Sequence, residues 1–174
     1  MTPTRRQFLA LSASTLAVAG CLSGGDEDTG EAEDDEANVE DWQRINDDIL
    51  NPSFPMELTE PGTNTRLAEV HWHTDWAHWH KMPFEIPLER WRTVEMRILD
   101  RDLEPIPIGA DESHHIEVTR TEQTPADLVE ISVSDETLDV RGLTEGTGEL
   151  VFQVVSEGEA VFTSPALMIE ITDE

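Results

Sequence analysis

From residue 66 to the C-terminus, apolar and polar positions alternate in short runs separated by turn residues. Such alternation turns one face of each run to a core and the other to water, so it predicts strands. The runs are 93–99, 115–119, 128–133, 138–140, 150–155 and 167–171. Between them stand Asp100-Arg101-Asp102, Gly109-Ala110-Asp111, Thr124-Pro125, Gly146-Thr147-Gly148 and Glu157-Gly158-Glu159, all of turn-forming composition. The last separates Val155 from Ala160 as a hairpin loop would. Phe84-Glu85-Ile86-Pro87-Leu88 carries a proline, which marks an edge strand or crossover, and Trp91 is expected in the core. Seven or so strands in about 110 residues predict an all-β fold, an antiparallel β-sandwich spanning 64–174.

The pattern before residue 64 is different. Residues 24–41 hold ten carboxylates and no cation, among Gly, Ala, Thr and Asn, so they bury too little apolar surface to order themselves. This segment reads as an extended, self-repelling tether within a linker of residues 21–63. Trp42, Ile45, Ile49 and Leu50 fit a short helix, which Asn51-Pro52 and Phe54-Pro55 would stop.

The first 20 residues read as an export signal. Thr4-Arg5-Arg6-Gln7-Phe8-Leu9 resembles the twin-arginine signal, which implies translocation in a folded state, and the apolar run behind it is too short to span a bilayer. Val18-Ala19-Gly20-Cys21 resembles a lipobox, which implies cleavage before Cys21 and attachment to the membrane by lipid on that residue. Cys21 is the single cysteine, so no intramolecular disulfide can form. A cleaved soluble secretory signal with an incidental cysteine is the plainer alternative.

Charge narrows the setting. Eleven Lys and Arg stand against 38 Asp and Glu; loss of Arg5 and Arg6 with the signal leaves nine cations and a formal charge of −29. At about 1 M salt the screening length is roughly 3 Å, which removes most of the self-repulsion. Acidity running through the strands, one lysine (Lys81) beside ten arginines, the arginine pair and the lipobox together resemble exported lipoproteins of halophilic archaea. An acidic protein that gathers cations over its whole surface is the alternative. Nucleic acid does not suit this surface as a partner.

Leu138-Asp139-Val140-Arg141-Gly142-Leu143, Gly146-Thr147-Gly148-Glu149-Leu150-Val151-Phe152-Gln153-Val154 and Ala166-Leu167-Met168-Ile169-Glu170-Ile171 give residues 93–174 a pattern that resembles bacterial and archaeal Ig-like modules. It implies an Ig-like sandwich, an architecture that hosts adhesion, binding and spacer roles alike. The chain is also similar to His-rich exported proteins that join a histidine cluster to such a module. It departs from them in the hairpin Ser156-Glu157-Gly158-Glu159, which has no histidine.

Four of the six histidines lie in His71-Trp72-His73-Thr74-Asp75-Trp76-Ala77-His78-Trp79-His80. Folded about residues 74–77, the segment pairs His71 with His80, Trp72 with Trp79 and His73 with His78. All four imidazoles then share one face, and Trp72 and Trp79 take the other. His71, His73, His78 and His80 are therefore candidate ligands for a divalent transition metal, copper or zinc, with Asp75 or Glu69 available to complete the shell. Met82 and Met96 are softer donors, although Met in a β protein is more often core. A helical reading leaves one ligand pair per face, and a solvated strand with buried tryptophans needs no metal. His114 and His115 point to opposite faces, so at most one could join the site; both are expected near solvent.

No nucleophile with a spaced base and acid, and no glycine-rich phosphate loop, occurs. The expectation is a non-enzymatic metal-binding lipoprotein at the cell surface. The alternative is an Ig-like structural or interaction module with a protein partner in the envelope. The thermal midpoint should rise between low-salt buffer and molar KCl; a midpoint unmoved or lowered by salt contradicts the halophilic expectation.

Overall fold

The computed structural model describes residues 44–45 and 47–173; Arg5, Arg6, Cys21, the acidic segment 24–41 and Trp42 lie outside the described residues. Among the described residues there is no helix, and the strands assemble into two facing sheets as the alternation requires. The first sheet contains β3 (Met56–Thr59), β4 (Arg66–Trp72), β5 (Ala77–His80), β7 (Trp91–Leu99), β8 (Pro105–Ile106), β10 (Val129–Ser134) and β11 (Thr137–Gly142). Its order is β10-β11-β7-β3-β4-β5, with β8 also on β7. In the second, β12 (Gly146–Ser156) pairs with β9 (His114–Arg120), β13 (Glu159–Thr163) and β14 (Leu167–Thr172), and β6 (Phe84–Pro87) closes the edge beyond β14. The β6–β14 ladder is parallel and the other ladders are antiparallel. A two-strand ribbon, β1 (Arg44–Ile45) and β2 (Asp48–Ile49), precedes them.

Between the sheets lie the inward positions of each run. Met56, Leu58, Ala68, Val70, Val94, Met96, Ile98, Leu138 and Val140 from the first sheet meet Ile86, Ile116, Leu150, Phe152, Val154, Leu167, Ile169 and Ile171 from the second. Trp79 joins them at 2% exposure; its ring lies 5.3 Å from Phe152, and its indole N–H donates to the Pro165 carbonyl at 2.7 Å. Trp72 packs edge-on against Phe162 at 5.6 Å. The two tryptophans thus tie the β4–β5 hairpin to the opposite sheet.

The strand expectations for residues 93 onward hold, as does the edge position of 84–88. The Glu157-Gly158 loop joins β12 and β13 with Ser156 opposite Glu159, and positive φ at both loop residues matches the twist of the ribbon. Other expectations fail. Arg44–Ile45 and Asp48–Ile49 form β1 and β2 instead of a helix, because Ile45 and Leu50 are each buried as separate anchors, and Ile49 and Leu50 are held extended beside residues 100–101. The linker does not run to residue 63, since Met56 and Leu58 are fully buried on β3 between β4 and β7. Gly146-Thr147-Gly148 opens β12 instead of turning; a Cβ on Gly148 would stand 2.6 Å from Leu128 Cδ2, so glycine here permits close packing. Trp91 is 48% exposed on the outer face of β7, in reach of the Arg141 guanidinium at 5.2 Å.

Replacing Trp79 with Ala should cost about 3–5 kcal/mol, measured by denaturant unfolding, because it empties the core and removes one of the two donors to the Pro165 carbonyl, leaving the Ser164 hydroxyl. A loss below about 1 kcal/mol would show that the hairpin is not tied to the sandwich through this ring.

Candidate metal centre

β4 and β5 meet in a tighter hairpin than the palindromic pairing predicts. His71 lies opposite His78, Val70 opposite Trp79 and Glu69 opposite His80, and the His73 N–H donates to the Trp76 carbonyl at 2.8 Å. The turn is centred on Thr74-Asp75, so the register is shifted by two residues from the expected one. The physical reason is that a two-residue loop closes this hairpin with fewer unpaired backbone groups than a four-residue loop. Because the shift is even, no side chain changes face. His71, His78 and His80 remain on the outer surface, and Trp72 and Trp79 remain inside.

One nitrogen from each of His71, His73 and His78 falls within 4.8 Å of the others. His71 and His78 are half-buried and His73 is exposed. The rings are supported by aromatic neighbours: Phe54 stacks on His71 at 4.8 Å, and Trp76 stacks on His73 at 4.2 Å and on His78 at 4.6 Å. Trp76 is itself 58% exposed. His78 Nδ1 is shielded from solvent and has no hydrogen-bond partner among the described residues. A shielded nitrogen with no partner is costly unless something occupies its lone pair or takes its proton.

His80 does not complete the triad. Its Nε2 lies 3.3 Å from His71 Nδ1, and its Nδ1 lies 3.5 Å from Glu69 Oε1. Glu69 in turn is paired with Arg66, which also donates to Glu57 at 2.8 Å, and Arg97 approaches Glu57 at 3.7 Å. The carboxylate expected to complete the shell is therefore occupied one step behind the imidazoles, and exposed Asp75 is not among the grouped ligands. Met96 is fully buried in the core and Met82 is 44% exposed beyond the end of β5. His114 and His115 lie on β9 of the other sheet. His115 is exposed beside Glu117 at 3.6 Å, but His114, expected near solvent, is only 5% exposed, because its side of β9 faces inward.

Electrostatics favour the neutral forms of His71 and His78. Partial desolvation, then the neighbouring His73 and His80, lower the pKa of His71 from its usual 6.5, with Glu69 opposing. Desolvation, then His80, His73 and His71, lower that of His78. Neutral imidazole is the form that ligates a metal, so protons compete less here than at an ordinary histidine.

No protein-family model and no curated protein matches the sequence. Among solved structures, the crystal structure of the S-layer protein SbsC domains 4 and 5 aligns at a TM-score of 0.37 and 9% identity, over 69% of this chain and 77% of that one. The crystal structure of the S-layer protein rSbsC(31-844) aligns at 0.35 and 8%, over 74% of this chain and 21% of that one. Neither likeness bears on the histidines.

The histidine cluster was legible as a face; the aromatic support from Phe54 was not, since it comes from a segment without alternation. The lowered pKa values of His71 and His78 also set a pH dependence. A lowered folded-state pKa means that the unfolded chain binds more protons, so stability falls as pH drops below about 6.5 and levels off below the folded value. Denaturant midpoints followed from about pH 8 to 5 should show a shallower loss in His78→Gln than in the parent; equal slopes would refute the shift.

Proposed function

We propose that this chain is a non-catalytic lipoprotein of the cell surface that binds one divalent transition metal ion, copper or zinc, through His71, His73 and His78. The observation that carries this reading is the convergence of the three imidazole nitrogens within 4.8 Å, with the shielded His78 Nδ1 unpartnered among the described residues. Three neutral nitrogens leave at least one coordination position open to water or another donor. Zinc suits a tetrahedral arrangement and copper a flatter one, and an all-imidazole donor set serves either. The arginine pair Arg5-Arg6 and Cys21 support export and attachment to the membrane through lipid on Cys21. Export of an already folded chain suits a site that depends on a formed hairpin.

A second reading, an Ig-like structural or interaction module contacting another envelope protein without metal, draws on the exposure of Trp76 and Trp91. The two separate in one measurement. The chain, held in molar KCl, offered Cu²⁺ or Zn²⁺ and dialysed, should retain about one equivalent by elemental analysis. A variant with His71, His73 and His78 changed to Ala should retain none above background. Equal, weak retention by both would overturn the metal reading and leave the interaction module.

A further inference from the structure

The hairpin register that takes His80 out of the ligand triad gives it another place. His80 stands between two groups that face it from β4: the Glu69 carboxylate, 3.5 Å from its Nδ1, and His71 Nδ1, 3.3 Å from its Nε2. Glu69 is held in turn by Arg66 and is only 9% exposed, so its position is fixed. We infer that Glu69 and His80 form a positioning pair that sets the tautomer of His71, so that His71 presents Nε2 to the metal; this rests on the metal-binding reading above.

Glu69 Oε1 can only accept, and at 3.5 Å its negative charge favours the proton of neutral His80 on the facing Nδ1. His80 Nε2 then carries a lone pair and can only accept. The facing His71 Nδ1 must supply the proton of that contact, and the lone pair of neutral His71 is left on Nε2. Each step removes one choice, and the chain of choices starts at a carboxylate whose own geometry is settled by Arg66. Phe54, stacked on His71 at an interplanar angle of 16°, limits rotation of the same ring. A ligating imidazole oriented by a carboxylate through its second nitrogen is a general way of raising ligand basicity and lowering the cost of ordering the site. Here an additional imidazole is interposed. Glu69 is thereby kept out of direct coordination, and the triad remains three neutral nitrogens.

The test separates this inference from the reading it rests on. Long-range ¹H–¹⁵N correlation spectra of the metal-free chain at about pH 8, above the ordinary range of imidazole titration, report which nitrogen of each ring bears the proton. The inference expects Nδ1–H on both His80 and His71 in the parent, and a mixture of tautomers at His71 in Glu69→Ala and His80→Ala. His80→Gln supplies a carbonyl acceptor for His71 Nδ1–H and should restore the single tautomer, which a loss of packing alone would not do. Affinity for Cu²⁺ or Zn²⁺ should fall about 10–100-fold in Glu69→Ala and His80→Ala and recover in part in His80→Gln. His71 protonated on Nε2 in the parent, or tautomer and affinity unchanged in His80→Ala, would overturn the inference. A parent that shows the expected tautomers yet retains no metal would leave the positioning pair standing and remove the metal reading.

Discussion

Trp79 fixes the geometry on which the histidine cluster depends. β5 is a four-residue strand at the edge of its sheet, paired on one side only, and such a strand is held weakly by its ladder alone. Burying the indole against Phe152 and donating its N–H to Pro165 ties that edge to the opposite sheet. With Trp79 pointing in, the pleat obliges His78 and His80 to point out, and cross-strand pairing brings His71 opposite His78. The chemistry on the outer face is thus set by a packing decision on the inner one.

The charges around the cluster are graded. Glu57 and Glu69, nearly buried on the outer face of β3 and β4, are compensated by Arg66 and Arg97, and the imidazoles lie beyond them toward the edge. In a chain this acidic, two of the few arginines are spent under the histidines. Without them two carboxylates in poorly solvated positions would pull protons onto the rings. With them, desolvation and the mutual repulsion of the rings dominate, and His71 and His78 favour the neutral form.

Much of this was legible in the sequence. Alternation located β7, β9, β10, β11, β12 and β14, though not β8 or β13, and because a strand has a period of two it assigned the four histidines to one face and Trp72 and Trp79 to the other. The register was not legible. The near-palindrome 71–80 satisfies more than one even-numbered pairing, and the loop closed by His73 and Trp76 decides between them. That two-residue difference left His80 between Glu69 and His71, outside the group of nitrogens formed by His71, His73 and His78. The segment before residue 64 misled because its anchors are single residues. Ile45 and Leu50 each bury alone, and β3 is too short to display a pattern, yet it lies in the middle of its sheet. Trp91 misled in the opposite sense, since composition marks a tryptophan as core and only its position on the outer side of β7 exposes it.

The hairpin divides its residues into two independent alphabets. Inward letters are constrained by volume, outward ones by chemistry, and the pleat keeps the two from interfering. Descendants of this sequence could therefore exchange His73 or His78 for other donors, or lose them to drift, while the core beneath stays as it is. The lineage of such a site would be recorded by its tryptophans longer than by its histidines.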